Sequence, residues 1–108
     1  MLAKKNRAST KIVEKVFKTG KFINSQFLSF KYMLNKGVSD RKISFLAPKN
    51  IAKIAVKRNA LRRLGYRVLK QYVNEFPAGI EGVLVYKKRL NTAVEVENEI
   101  KNILNKIN

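Results

Sequence analysis

Ala55-Val56-Lys57-Arg58-Asn59-Ala60-Leu61-Arg62-Arg63-Leu64-Gly65-Tyr66-Arg67-Val68-Leu69-Lys70 is the stretch whose reading decides the fold. An α-helix advances about 100° per residue. With Leu61 at zero, Leu64, Gly65, Val68, Leu69 and Tyr72 gather on one side, and Asn59, Arg62, Arg63, Tyr66, Arg67 and Lys70 fall on the opposite arc. This sorting predicts a helix starting between Ile51 and Val56, with one buried stripe and one charged face. Glycine costs about 1 kcal/mol relative to alanine inside a helix. Gly65 on the apolar stripe therefore implies close packing against a strand.

The flanking segments supply that strand. Residues 21–35 are rich in Phe, Ile, Leu and Tyr and read as extended, with a break near Asn24 and Ser25. Side chains alternate along a strand, so Leu28, Phe30, Tyr32 and Leu34 share one face, and Phe27, Ser29, Lys31 and Met33 the other. Turn signals at Asn35, Gly37 and Asp40 lead to a second run, residues 41–47, and the two runs are expected to pair as an antiparallel hairpin. Pro77 and Gly79 close the long helix. Residues 83–86 then form a continuous apolar run typical of a strand covered on both faces.

Helices are expected at both ends. Ser9 or Thr10 can cap a first helix carrying Ile12, Val13, Val16 and Phe17 and stopped by Gly20. Thr92 with Glu95 has the form of a capping box and opens a last helix with Val96, Ile100, Ile103, Leu104 and Ile107 on one stripe. Glu95, Glu97 and Glu99 are expected on its solvated face, complementing the helix dipole. The predicted class is α+β, a small central sheet packed with three helices in the order α-β-β-β-α-β-α. The chain reads as one domain, 1–108, whose residues 1–8 are a basic N-terminal arm.

Charge narrows the partner. Lys and Arg number 24 against seven acids, a formal net charge of +17. Between Asp40 and Glu75 stand Arg41, Lys42, Lys49, Lys53, Lys57, Arg58, Arg62, Arg63, Arg67 and Lys70 with no acid among them. Repulsion of that size is tolerated where a counter-charge is at hand, so RNA, DNA or an anionic membrane is implied. The 45% hydrophobic content is that of a globular chain and suffices only for a core, so nucleic acid ranks above a membrane surface. The sequence has neither Cys nor His, which removes thiolate and imidazole ligands and the commonest general base. Paired carboxylates are missing from the basic region, Glu95, Glu97 and Glu99 show no motif for catalysis, and no glycine-rich phosphate loop of recognised form is present, so neither a catalytic residue nor a metal ligand is nominated. No apolar run approaches the roughly 20 residues of a membrane span, and a cytoplasmic protein is expected.

On the predicted helix, the absence of acids leaves like charges to repel without i to i+4 pairing. Arginine suits bidentate contact with phosphate, and Asn59 and Tyr66 add uncharged groups for base or ribose. Phe17, Phe22, Phe27, Phe30 and Tyr32 are either core residues or stacking surfaces for unpaired bases. Composition leaves open an RNA-binding subunit of a ribonucleoprotein enzyme, a structural ribosomal protein and a DNA-binding protein.

The run from Ala55 to Leu64 resembles the signature of the bacterial ribonuclease P protein component, Ala-Val-x-Arg-Asn-Arg-x-Lys-Arg-Leu. Lys4-Lys5-Asn6-Arg7 is similar to the family's basic arm, Val16-Phe17-Lys18-Thr19-Gly20 to its first helix end, and residues 83–88 to a strand ending in basic residues. Ala60 departs from the signature's second Arg, Tyr66 from an expected Arg, and Val13 from a frequent Phe. The resemblance implies the accessory protein subunit of an endoribonuclease whose RNA removes the 5′ leader of precursor tRNA. Mg²⁺ would be held through the RNA subunit and not by protein side chains alone. Implied partners are ribonuclease P RNA and precursor tRNA, with no membrane and no small-molecule substrate. The implied fold contains a left-handed βαβ crossover. Carried over by position, Arg58, Asn59, Arg62 and Arg63 contact the catalytic RNA. Lys4, Lys5, Arg7, Lys53, Lys57, Tyr66, Arg67 and Lys70 extend that surface. Val13, Phe17 and Phe30 line the leader cleft, with Lys49 and Lys53 near its entrance.

Overall fold

In the computed structural model, which describes residues 4–107, the basic stretch is one helix, α2 (Ala55–Tyr72), lying on a four-stranded sheet. Met1, Leu2 and Ala3 of the expected arm, and Asn108, lie outside the described residues. Helices α1 (Thr10–Thr19) and α3 (Ala93–Ile107) and strands β1 (Lys21–Asn24), β2 (Leu28–Leu34), β3 (Lys42–Leu46) and β4 (Ile80–Tyr86) give the order α-β-β-β-α-β-α, as the sequence predicts. The caps follow the side chains available. Ser9 Oγ accepts the Ile12 N–H at 3.3 Å, and the Gly20 N–H closes α1 on the Val16 carbonyl at 2.7 Å. Thr92 and Glu95 form the reciprocal box at α3, each side chain accepting the other's backbone N–H.

The strands lie in the order β1-β2-β4-β3. β2 pairs antiparallel with β1 and with β4, and β3 runs parallel to β4. The expected hairpin between the runs at 28–35 and 41–47 is therefore not formed, because β4 stands between them. Burial explains the choice. β2 and β3 place Lys31, Lys42 and Ser44 on one face, whereas β4 is apolar along most of both faces and gains most from the centre, where both its edges are paired. The loop after β2 instead wraps the start of β4: the Asn35 N–H donates to the Gly79 carbonyl at 2.8 Å, at a turn where Gly79 takes φ 80°. Parallel neighbours need a crossover of a dozen or more residues. α2 is that crossover, which fixes the basic helix against the sheet.

Register defines two faces. Leu28, Phe30, Ile43, Phe45, Ile80, Leu84 and Tyr86 point to one side and join Leu61, Val68 and Leu69 of α2 and Val96, Ile100 and Ile103 of α3 in the main core. Each large side chain fully buried there contributes on the order of 2 to 3 kcal/mol. On the other side a row runs Phe22, Lys31, Val83, Ser44 across the four strands, and α1 packs on β2 and β4, with Val16 and Val83 both buried. Gly65 meets β3 as expected: a Cβ there would lie 2.7 Å from the Phe45 ring.

One acid departs from expectation. Glu99 is not on a solvated face but buried, its Oε1 accepting the N–H groups of Phe27 at 2.5 Å and Leu28 at 3.2 Å. Phe27 lies in the β1–β2 turn and Leu28 opens β2, and a carboxylate from α3 satisfies both donors. Glu97 accepts the Tyr72 hydroxyl at 2.6 Å.

Candidate nucleic-acid interface

The outer face of α2 carries the predicted charge. Lys57, Arg62, Arg63, Arg67 and Lys70 are exposed, as is Lys53 just before the helix. Its first turn has no acid and its cap residue, Ile54, offers no side-chain acceptor. Among the described residues the ion pairs are Lys15 with Glu81 and Lys101 with Glu97, so none neutralises this face. Arg58 is different. It is half-buried, and its Nη1 donates to the carbonyls of Ala52 at 3.1 Å and Lys53 at 2.8 Å, tying down the loop that enters the helix. Arg62 is oriented by a hydrogen bond to the Asn59 side-chain oxygen.

Tyr66 does not point outward as the helical wheel suggested. It is 6% exposed, its hydroxyl accepts the Phe45 N–H at 3.0 Å, and its ring packs edge-on to Phe45. The cause is the N-terminal arm, which covers the flank of α2 next to β3. Arg7 stacks its guanidinium 4.5 Å from the Tyr66 ring centroid, the Asn6 amide donates to the Arg41 carbonyl at 2.9 Å, and Ser44 Oγ donates to the Ala8 carbonyl at 2.9 Å. The arm from Lys4 onward is thus tethered, with Lys4 and Lys5 exposed in a 3-10 turn. Between arm, α1, β3 and α2 lies a cavity of about 580 Å³ walled by Arg7, Thr10, Val13, Asn59, Arg62 and Arg63.

The aromatic pair predicted for the leader cleft is split. Phe17 is 40% exposed on α1, with Lys31 Nζ 4.9 Å from its ring centroid. Phe30 is fully buried on the opposite face of the sheet, between Tyr32 and Phe76, and cannot line the same cleft. The alternation along β2 already carried this: Phe30 and Lys31 have opposite parity, and the more polar face is the one left partly open. What faces Phe17 is Lys31, flanked by exposed Phe22 and Leu46 and half-buried Ser29 and Val85. Lys49 is exposed three residues beyond Leu46. Phe22 was named among the possible stacking aromatics, but Lys31 was missed as a site residue because its neighbours on the open face come from three other strands.

Among the described residues no group of three or more His, Cys, Asp or Glu could hold a metal ion, and no helix is long and apolar enough to cross a membrane. The family model described as Ribonuclease P matches residues 3–108. No curated protein matches the chain in sequence. The fold is similar to that of the RNase P protein of Staphylococcus aureus, at 14% identity and TM-score 0.79, covering 97% of this chain and 96% of that one. It is also similar to the RNase P protein of Thermotoga maritima, at 20% identity and TM-score 0.73, covering 88% and 90%.

Proposed function

This chain belongs to the ribonuclease P protein family, and on that premise we propose that it is the subunit that grips the catalytic RNA and the 5′ leader of precursor tRNA while the RNA makes the cut. One observation carries the reading. The cavity beside α2 joins Asn59, Arg62 and Arg63 to Val13 of α1, and Phe17 lies one helical turn further along the same face of α1. The cationic helix and the open sheet face therefore adjoin through α1, so one strand can contact both.

The two regions do different work. Lys57, Arg62, Arg63, Arg67 and Lys70, with Lys4, Lys5, Arg7 and Lys53 beside them, neutralise RNA phosphates and release counterions. Arg58 and Tyr66 act from behind, the first by holding the entry loop and the second by seating Arg7. On the sheet, Phe17 offers a stacking edge, Lys31 a cation beneath it and Lys49 one at the mouth. Contacts to phosphate and to base faces position a strand without reading its sequence, which suits leaders of varied sequence. Mg²⁺ comes with the RNA. By neutralising phosphates the protein lowers the amount the complex needs, in the cytoplasm where the tRNA precursors are processed.

Precursor-tRNA cleavage by ribonuclease P RNA at low Mg²⁺, with and without the protein, tests this. A clear rise in rate is expected. An unchanged rate with folded protein would overturn it.

A further inference from the structure

The other flank of α2 holds a second cavity, of about 270 Å³, between the helix and the segment that follows β4. We propose that it takes one unpaired nucleotide of the RNA partner, its base on an apolar floor and its phosphate among three cations. This rests on the RNA-binding role given above. The floor is Leu61, Leu64 and Leu90, of which Leu61 and Leu90 are buried in the protein and Leu64 half-buried. The rim is Lys57, Arg67 and Arg89, all exposed. A bare anion gains nothing from three leucines, and a purely apolar ligand gains nothing from three cations; a flat amphipathic group bearing negative charge uses both. Drug-sized ligands occupy cavities from about 300 Å³ upward, so this one fits a single base and not the edge of a duplex.

Two features of the chain build the site. Lys87, Lys88 and Arg89 are consecutive but diverge: Lys87 Nζ donates to the Ser25 carbonyl at 2.8 Å and Lys88 lies over Phe27, while Arg89 alone turns to α2. Ala60 leaves the space open, since it sits between Lys57 and Leu64 on the helix surface, three residues after one and four before the other. It is also the position at which the signature's second arginine is missing. Glu95 lies close in sequence, but its Oε1 accepts the N–H groups of Asn91 and Thr92 and the Thr92 hydroxyl. That carboxylate is committed to the cap of α3.

The test follows backbone amide signals of the isotope-labelled full chain during titration with adenosine 5′-monophosphate and, separately, inorganic phosphate. The amides of Ala60, Leu64, Arg89 and Asn91 are expected to move with the nucleotide and far less with phosphate. Ala60→Leu fills the cavity without changing charge, and the spectrum itself reports whether it folds. It should weaken the nucleotide at this site about tenfold or more. It should also weaken the catalytic RNA and lower the slope of log affinity against log salt by no more than about one unit, the one phosphate contact that leaves with the nucleotide. Equal movement with both probes, or movement with neither, overturns the proposal, as does full RNA affinity in an Ala60→Leu protein that has lost the nucleotide. If the unaltered chain fails to bind the catalytic RNA at all, the RNA-binding role itself falls, whatever the mononucleotide does.

Discussion

Gly65 of α2 lies so close to Phe45 of β3 that a Cβ on the glycine would come within 2.8 Å of three carbons of the ring. The ring has no room to retreat, because Phe45 is itself packed against Tyr66 and Tyr86. Gly65→Ala improves helix propensity by about 1 kcal/mol and overpacks the interface by about 1 to 3 kcal/mol. The steric term wins, so the variant is expected to melt at a lower temperature. The same contact sets the spacing that lets the Tyr66 hydroxyl reach the Phe45 N–H, and circular dichroism melts with RNA binding measured in parallel would check both consequences.

Phe17 and Phe30 should respond to truncation in opposite ways. Phe30→Ala empties a fully buried site and is expected to cost about 3 to 5 kcal/mol of stability, read by denaturant unfolding. Phe17→Ala removes a half-exposed ring and should leave the fold nearly intact. Its cost falls on precursor tRNA, by on the order of 1 kcal/mol relative to mature tRNA if one stacked base is lost. Equal losses for the two RNAs would take Phe17 out of the leader path.

Salt dependence separates positioning from direct contact on α2. Arg62→Ala combined with Arg63→Ala deletes two exposed cations and should lower the slope of log affinity against log salt by about one to two units. Arg58→Ala should do something else. Its Nη1 holds the carbonyls of Ala52 and Lys53, so the expected effect is loosening of the loop before the helix, seen as faster amide exchange there, with a smaller change in slope.

Much of this was legible in the chain itself, and the exceptions share a cause. Helical periodicity located α2 and its stripe, and Gly65 announced the strand that packs on it, because both signals are local. Tyr66 was misjudged since the wheel sets it among the charges, whereas its burial is decided by Phe45 and Arg7, which lie far from it in the sequence. The position of β4 between β2 and β3 depends on which run gains most from burial on both faces, a comparison across the whole sheet. Glu99 read as a surface acid because the donors it satisfies, Phe27 and Leu28, lie where a distant turn enters β2. The signature residues were visible, but Arg58 shows that matching a motif does not say which way a side chain spends its hydrogen bonds.

Glu99 gives a direct test of that buried acceptor. Glu99→Ala strands two backbone donors and is expected to cost about 2 to 4 kcal/mol. Glu99→Gln keeps a side-chain oxygen at the same reach and should lose less than half as much. Urea unfolding of the two variants would show the ordering; equal losses would mean that charge rather than acceptance matters there.

Tyr72 and Glu97 link the end of α2 to α3 through a bond that alkali should break. The hydrogen bond to Glu97, followed by partial burial and the charges of Glu97 and Glu75, pushes the Tyr72 hydroxyl up to about 12 from its ordinary value of 10.0. A folded-state value above the unfolded one means that the protonated phenol favours the fold. Its contribution is whole below about pH 10 and is lost as the pH rises from there to about 12. Tyr72→Phe has no such proton to lose, so its melting temperature should fall less steeply across that window, although it starts lower at neutral pH. Burial also raises the Tyr86 hydroxyl, which donates to the Leu61 carbonyl at 2.8 Å. Both proteins keep Tyr86 and the same lysines, so the difference between their two pH profiles isolates Tyr72; parallel profiles would mean that its bond to Glu97 carries no stability.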